Sequence, residues 1–165
     1  MDSVLLMMAW EDICYGTGMQ GLTKEDVASW YSLQNSHRWR LRNQFHPRLK
    51  TWNSGTPPIP PDEWLNIAAK TRSRIVHMGY IPNLDEALQV LYCYDSIVEF
   101  TKSRLSYGGN RGRYPRTCGM ILGERGLVGM GCFNGRMKRM YEDEGNRRWM
   151  EEFMEFRDEV LSMVY

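Results

Sequence analysis

Asn83, Glu86 and an apolar stripe made by Leu84, Ala87, Leu88, Leu91, Tyr94 and Val98 mark one stretch of this chain as helix. The Asn83 side chain suits an N-cap, a glutamate three residues on can bond back to it, and the stripe repeats at the three- and four-residue intervals of one helical face. Lys102 and Arg104 stand where cations favour a helix C-terminus, ahead of Gly108-Gly109. No stretch of comparable clarity alternates with the period of a strand, so the chain is read as mainly α.

Other segments extend that reading. The run Val4-Leu5-Leu6-Met7-Met8-Ala9-Trp10 is apolar on every side and reads as a buried helix. Asp2 in place of a basic leader and the early acids Glu11-Asp12 speak against a signal peptide. No apolar run approaches the roughly 20 residues that cross a bilayer. Thr23 with Asp26 has the form of a cap, and Val27, Trp30, Tyr31, Leu41 and Phe45 suggest a helix reaching almost to Pro47. The alternation in Arg38-Trp39-Arg40-Leu41-Arg42 also suits a strand, and helix is preferred.

Between positions 53 and 61 four prolines exclude a helix interior or a central strand, which leaves a hinge or an exposed docking segment. A helix follows from Pro61, with Asp62 and Glu63 in its first turn, to about Met78, where Gly79 is the natural stop. From Tyr107 to Gly135 nine residues are glycine, which points to an irregular connector because each interior glycine costs a helix about 1 kcal/mol relative to alanine. Residues 120–122 and 127–128 suit a short β-hairpin near 120–130. The chain, 1–165, is expected to form a single compact helical domain with a Pro-rich hinge at 53–61 and a Gly-rich connector at 107–135. The last segment, Asn146 to Tyr165, returns to helix, and Trp149, Phe153, Phe156, Val160 and Met163 have the spacing of an oligomerisation seam. The same spacing suits a helix packed on its own core.

A formal charge of +1 conceals a separation of charge. No acid lies between Asp26 and Asp62, where Arg38, Arg40, Arg42, Arg48 and Lys50 fall. None lies between Glu99 and Glu124, where Lys102, Arg104, Arg111, Arg113 and Arg116 fall. Lys70, Arg72 and Arg74 add a third basic group, and the acids gather towards the C-terminus. Arginine forks phosphate and stacks on bases, and Trp39, Trp52, Tyr107 and Tyr114 interleave with these cations as stacking platforms. Such a set points to a phosphate backbone, with Arg38, Arg40, Arg42, Arg48, Lys50, Lys70, Arg72, Arg74, Arg104, Arg111, Arg113, Tyr114 and Arg116 as candidate contacts. The flexible Arg111-Gly112-Arg113-Tyr114-Pro115-Arg116 stretch favours RNA over DNA. An anionic membrane surface offers the same charge.

Signs of catalysis are sparse. Gly123 to Gly135 lacks the Gly-Lys-Ser/Thr ending of a P-loop, and Gly129-Met130-Gly131 does not continue into a dinucleotide fingerprint. Cys14, Cys93, Cys118 and Cys132 form no paired motif and are read as reduced thiols, which suits an intracellular setting, cytoplasmic or nuclear. His37, His46, Cys118 and Cys132 lack the short spacings of structural zinc modules. No catalytic residue, metal or cofactor is assigned.

The leading expectation is a non-enzymatic, self-associating nucleic-acid-binding protein, in a style compatible with a viral structural or accessory protein. A protein-interaction or matrix-like module that docks a partner at Pro57 to Pro61 is the alternative, and a cysteine-dependent enzyme the third.

Overall fold

The computed structural model describes residues 2–16, 19–49 and 61–164, and among them every regular element is helical. In chain order these are α1 (Asp2–Tyr15), α2 (Lys24–Trp30), α3 (His37–Arg40), a π-helical turn (Leu41–Phe45), α4 (His46–Leu49), α5 (Pro61–Met78), α6 (Leu84–Ser106), α7 (Gly108–Arg113), α8 (Pro115–Gly129), α9 (Gly135–Glu142) and α10 (Glu144–Ser162). The protein is mainly α. No helix among the described residues is long and apolar enough to cross a membrane. The Pro-rich stretch 53–60 and Lys50 lie outside the described residues. The chain divides into two units, Met1–Lys50 with Arg104–Tyr165 and Thr51–Ser103, and the boundary falls within α6.

In the first unit α1 is the central element. Val4 through Ala9 are six consecutive buried residues, so this helix is covered on all sides, as a helix apolar all round must be. It packs on α8 and α10, and α10 also lies on α2. Trp149, Phe153, Phe156 and Val160 are buried within this chain, and Phe156 stacks on Trp10 with ring centroids 4.9 Å apart. Each fully buried side chain of this size contributes about 1.5–3 kcal/mol. These four residues of the seam therefore face α10's own neighbours rather than a second copy, and Met163 alone of the five is exposed. Lys24 of α2 forms an ion pair with Glu159 of α10.

The structure departs from expectation at three places. The helix expected from Thr23 almost to Pro47 is broken after α2, and α3, the π-helical turn and α4 follow the break. Thr23 and Asp26 do form a reciprocal capping box, but α2 ends at Trp30. Asn35 turns the chain by donating to the Ser29 carbonyl at 2.8 Å, and the Ser36 hydroxyl then caps α3. The strand alternative for Arg38–Arg42 is excluded, since these residues are helical. The π-helical turn ends at Phe45, two residues before Pro47, which has no amide to donate and crowds the carbonyl four residues back, so the backbone widens there.

Residues 107–135 are mostly helix rather than an irregular connector, and no hairpin forms near 120–130. Pro115 opens α8, and Gly123, with φ 65 and ψ 172, breaks it into two helical pieces where the hairpin turn was expected. Thr117, Cys118 and Gly119 are buried, and their packing offsets the weak helix propensity of the glycines. Helix α8 ends in a Schellman motif at Gly131 (φ 63), with Cys132 N–H donating to the Leu127 carbonyl and Gly131 N–H to Val128.

The second unit contains α5 and α6 up to Ser103. Helix α5 ends at Met78, followed by Gly79 at φ 60. Asn83 and Glu86 form the expected box, with Glu86 N–H donating to Asn83 Oδ1 at 2.9 Å and Asn83 N–H to Glu86 Oε2 at 3.1 Å. Glu86 also accepts from Arg74 at 2.6 Å and from the Tyr80 hydroxyl, while Arg74 lies 3.6 Å over the Tyr80 ring. Those hydrogen bonds hold the Glu86 carboxyl below its ordinary range. Cys93 and Phe100 form a small buried cluster with Ile67 and Ile97 packed against it.

Candidate nucleic-acid interface

The basic segments of the first unit are held together by polar groups that the sequence gives no reason to pair. Asn110, buried on α7, donates through Nδ2 to the Leu49 carbonyl at 2.7 Å and to the Arg104 carbonyl at 2.9 Å. The end of α4, the end of α6 and the whole of α7 thus meet at one side chain. Two acid-free intervals, 38–49 and 104–116, are brought side by side.

Beneath them lies a pair of buried acids. Glu11 and Asp12 close the apolar run of α1 and are 0 % and 1 % exposed. Glu11 accepts from Arg116 N–H at 2.9 Å, Thr117 N–H at 3.0 Å and the Thr117 hydroxyl at 2.8 Å. Tyr114, at the N-cap of α8, makes no side-chain cap bond, so a carboxylate from a distant helix caps α8 instead. Burial lifts the Glu11 carboxyl above its ordinary 4.5, although these hydrogen bonds and the Arg116 charge pull the other way. Asp12 accepts from Arg48 at 3.1 Å and from the Tyr114 hydroxyl at 3.3 Å. Burial raises the Asp12 carboxyl and lowers the Arg48 guanidinium, and the attraction between the two opposes both shifts. The Tyr114 phenol is raised by burial and by Asp12, so it remains a donor.

The candidate phosphate contacts separate accordingly. Arg40, Arg48 and Arg104 are buried, and Tyr114 is enclosed completely. Arg40 holds Asp2 through two bonds of 3.1 and 3.2 Å and lies 4.6 Å over the Tyr31 ring. Arg48, besides Asp12, bonds the Gln44 carbonyl and stacks 4.5 Å over Trp30. These cations organise the interior. Arg42 is exposed, and Arg38, Arg111, Arg113 and Arg116 are half-buried, with Arg116 lying 4.5 Å over Tyr15. Lys70 and Arg72 are exposed and Arg74 is half-buried, but all three belong to the second unit. Of the aromatic platforms, Tyr107 is exposed and Trp39 half-buried, while Trp52 lies outside the described residues.

Helix α7 has an unusual composition for its exposure. Three of its six residues, Gly108, Gly109 and Gly112, are exposed glycines. A Cβ at Gly108 or Gly112 would meet nothing within 4 Å, so the packing of this chain does not require their bareness. Bare backbone beside Arg111 and Arg113 permits close approach by a ligand.

Among the described residues no three of His, Cys, Asp and Glu are grouped to hold a metal ion. Burial pushes the Cys14 thiol up to about 11 and Cys118 up to about 12. Neither is an activated thiolate at neutral pH. No protein-family model, curated protein or solved structure matches the chain.

Proposed function

We propose that this protein binds single-stranded nucleic acid, RNA ahead of DNA, through the phosphate backbone, and that it is a binding protein rather than an enzyme. The observation that carries this reading is the Asn110 junction, which sets two acid-free segments next to each other in one unit. Arg38 and Arg42 on one side and Arg111, Arg113 and Arg116 on the other are the cations that would meet phosphate, with Tyr107 as a stacking platform. The inward-turned Arg40 and Arg48 hold the surface in shape. The open glycines of α7 are where a sugar-phosphate backbone would lie closest. The free cysteines suit an intracellular setting, cytoplasm or nucleus, where such a ligand is abundant.

Binding of a labelled single-stranded RNA, followed by fluorescence anisotropy, tests this. Contacts to about four phosphates of a single strand weaken affinity roughly 50-fold between about 50 and 200 mM salt. The variant R42E/R111E/R113E should lose most of the binding and flatten that slope, whereas R125E on α8 should not. Affinity indifferent to salt, or unchanged in the triple variant, overturns the assignment.

A further inference from the structure

Tyr15 is an aromatic ring that stands outside every basic stretch of the sequence, yet the fold brings an arginine onto it. It is the last residue of α1. Gly16, at φ 59 and with its N–H on the Asp12 carbonyl at 2.8 Å, ends the helix directly behind it. Glu11 and Tyr15 are four residues apart and so share one face of α1. Glu11 accepts from the Arg116 N–H at 2.9 Å, and the Arg116 guanidinium lies 4.5 Å over the Tyr15 ring. The main chain and the side chain of one residue are thereby held by two residues a turn apart, and a pair placed in advance loses little freedom on binding. Tyr15 keeps 48 % of its surface open despite the stacked guanidinium, and a Cβ added at Gly16 would meet nothing within 4 Å. The Arg116 Nε is enclosed without an acceptor, an unmet donor beside an open ring.

We infer that Tyr15 and Arg116 form a stacking subsite for one unpaired nucleobase of a strand whose phosphates lie along α7. This rests on the phosphate-backbone reading above and adds a contact that a duplex, whose bases are taken up in their own stack, does not offer. Arg111 and Arg113 of α7 precede Arg116 by five and three residues, and α7 packs on α8, so the phosphate contacts and the ring belong to one neighbourhood of the first unit. Stacking on a tyrosine tolerates any base, because every base has a π face, and a guanidinium on the ring strengthens such a platform. The ring takes a base rather than a phosphate, because the carbonyl end of α1 carries partial negative charge and repels an anion. Burial, with Glu11 and Glu152 adding to it and Arg116 opposing, raises the Tyr15 phenol, so its hydroxyl stays a neutral donor for the edge of a base.

The test compares two strands of equal length and charge on the full chain, an oligouridylate and the same ribose-phosphate backbone without bases. Both are titrated by fluorescence anisotropy over a range of salt. The wild-type protein should bind the oligouridylate about 10-fold more tightly, the order of one base stacked on one aromatic side chain. Tyr15→Ala and Tyr15→Leu should erase that preference and leave the salt slope unchanged, while Tyr15→Phe, which keeps the ring, should retain it. Tyr94→Ala, an exposed tyrosine of the second unit, should alter neither quantity. Far-UV circular dichroism checks that each variant is folded, and Tyr15→Leu stands in for Tyr15→Ala if the alanine variant loses helicity. Photocrosslinking of a 4-thiouridine strand followed by peptide mass spectrometry should place the base on Tyr15. A wild-type protein that binds both strands equally with a steep salt slope overturns the subsite and leaves the phosphate reading standing, as does a preference that survives in Tyr15→Ala. A protein that binds neither strand overturns both.

Discussion

Arg48 meets Asp12 at 3.1 Å across 36 residues of sequence, and both side chains are closed off from solvent. Such a pair gains little over an apolar pair of the same shape, but removal of one partner leaves a buried charge exposed to nothing. Arg48→Ala is expected to destabilise the protein by about 3–5 kcal/mol, and the double change Arg48→Met with Asp12→Leu by distinctly less. Urea unfolding of the two variants checks this. A single variant within about 1 kcal/mol of wild type would show that the pair is not a structural element.

Glu11 sets a dependence on pH with an uncommon sign. Its folded carboxyl titrates above the ordinary 4.5, so the folded state holds this proton more tightly than the unfolded chain. The stability this adds is fully present below pH 4.5 and is lost as pH rises through the folded value. The Glu11→Gln variant lacks that decline, so the difference in stability between wild type and variant should shrink from acid towards neutral pH. Denaturant midpoints of both proteins, measured at intervals from pH 4 to 8, give the curve. A difference that grows with pH would contradict the burial-driven shift.

Gly108→Ala and Gly112→Ala separate folding from binding. Each site is helical and open, so alanine should stabilise the protein by about 0.4–1 kcal/mol. If a phosphate backbone approaches α7 closely, the same changes weaken RNA binding several-fold. Thermal melts and anisotropy on one preparation report both effects. Stabilisation with unaltered affinity would place the ligand elsewhere.

Thiol reactivity bears on the enzyme alternative. Cys14 is exposed but raised to about 11, whereas Cys118 is buried and raised to about 12. With Ellman's reagent at pH 7.5, Cys14 should react first yet more slowly than a free thiol, and Cys118 only in denaturant. A fast single cysteine in the native protein would reopen that alternative.

What could be read from the sequence was local. The Asn83–Glu86 and Thr23–Asp26 boxes, the Gly79 stop and the enclosed α1 each follow from residues a few positions apart. The break at residues 31–36 was masked because apolar residues keep their helical spacing across it, although Asn35-Ser36 carries the cap that restarts the helix. The glycine-rich segment looks irregular in sequence because the group that caps α8, Glu11, stands 106 residues before Thr117. Arginine was the hardest residue to place. An acid-free interval looks the same whether its cations point outward or inward, and the acids that turn Arg40 and Arg48 inward stand 38 and 36 positions away. The only hint was a pair of acids ending an otherwise apolar helix.

Helix α1 also determines when this protein can fold. Its covering partners, α8 and α10, follow it far along the chain, and Glu11 leaves the ribosome about 100 residues ahead of the amides it caps. At roughly 5–20 residues per second that gap lasts on the order of 5–20 s. Throughout it a sticky N-terminal helix with two acids at its end waits uncovered. Vectorial synthesis therefore gives no early shelter to the centre of the first unit, and the nascent chain should be a client for holding chaperones until α10 emerges.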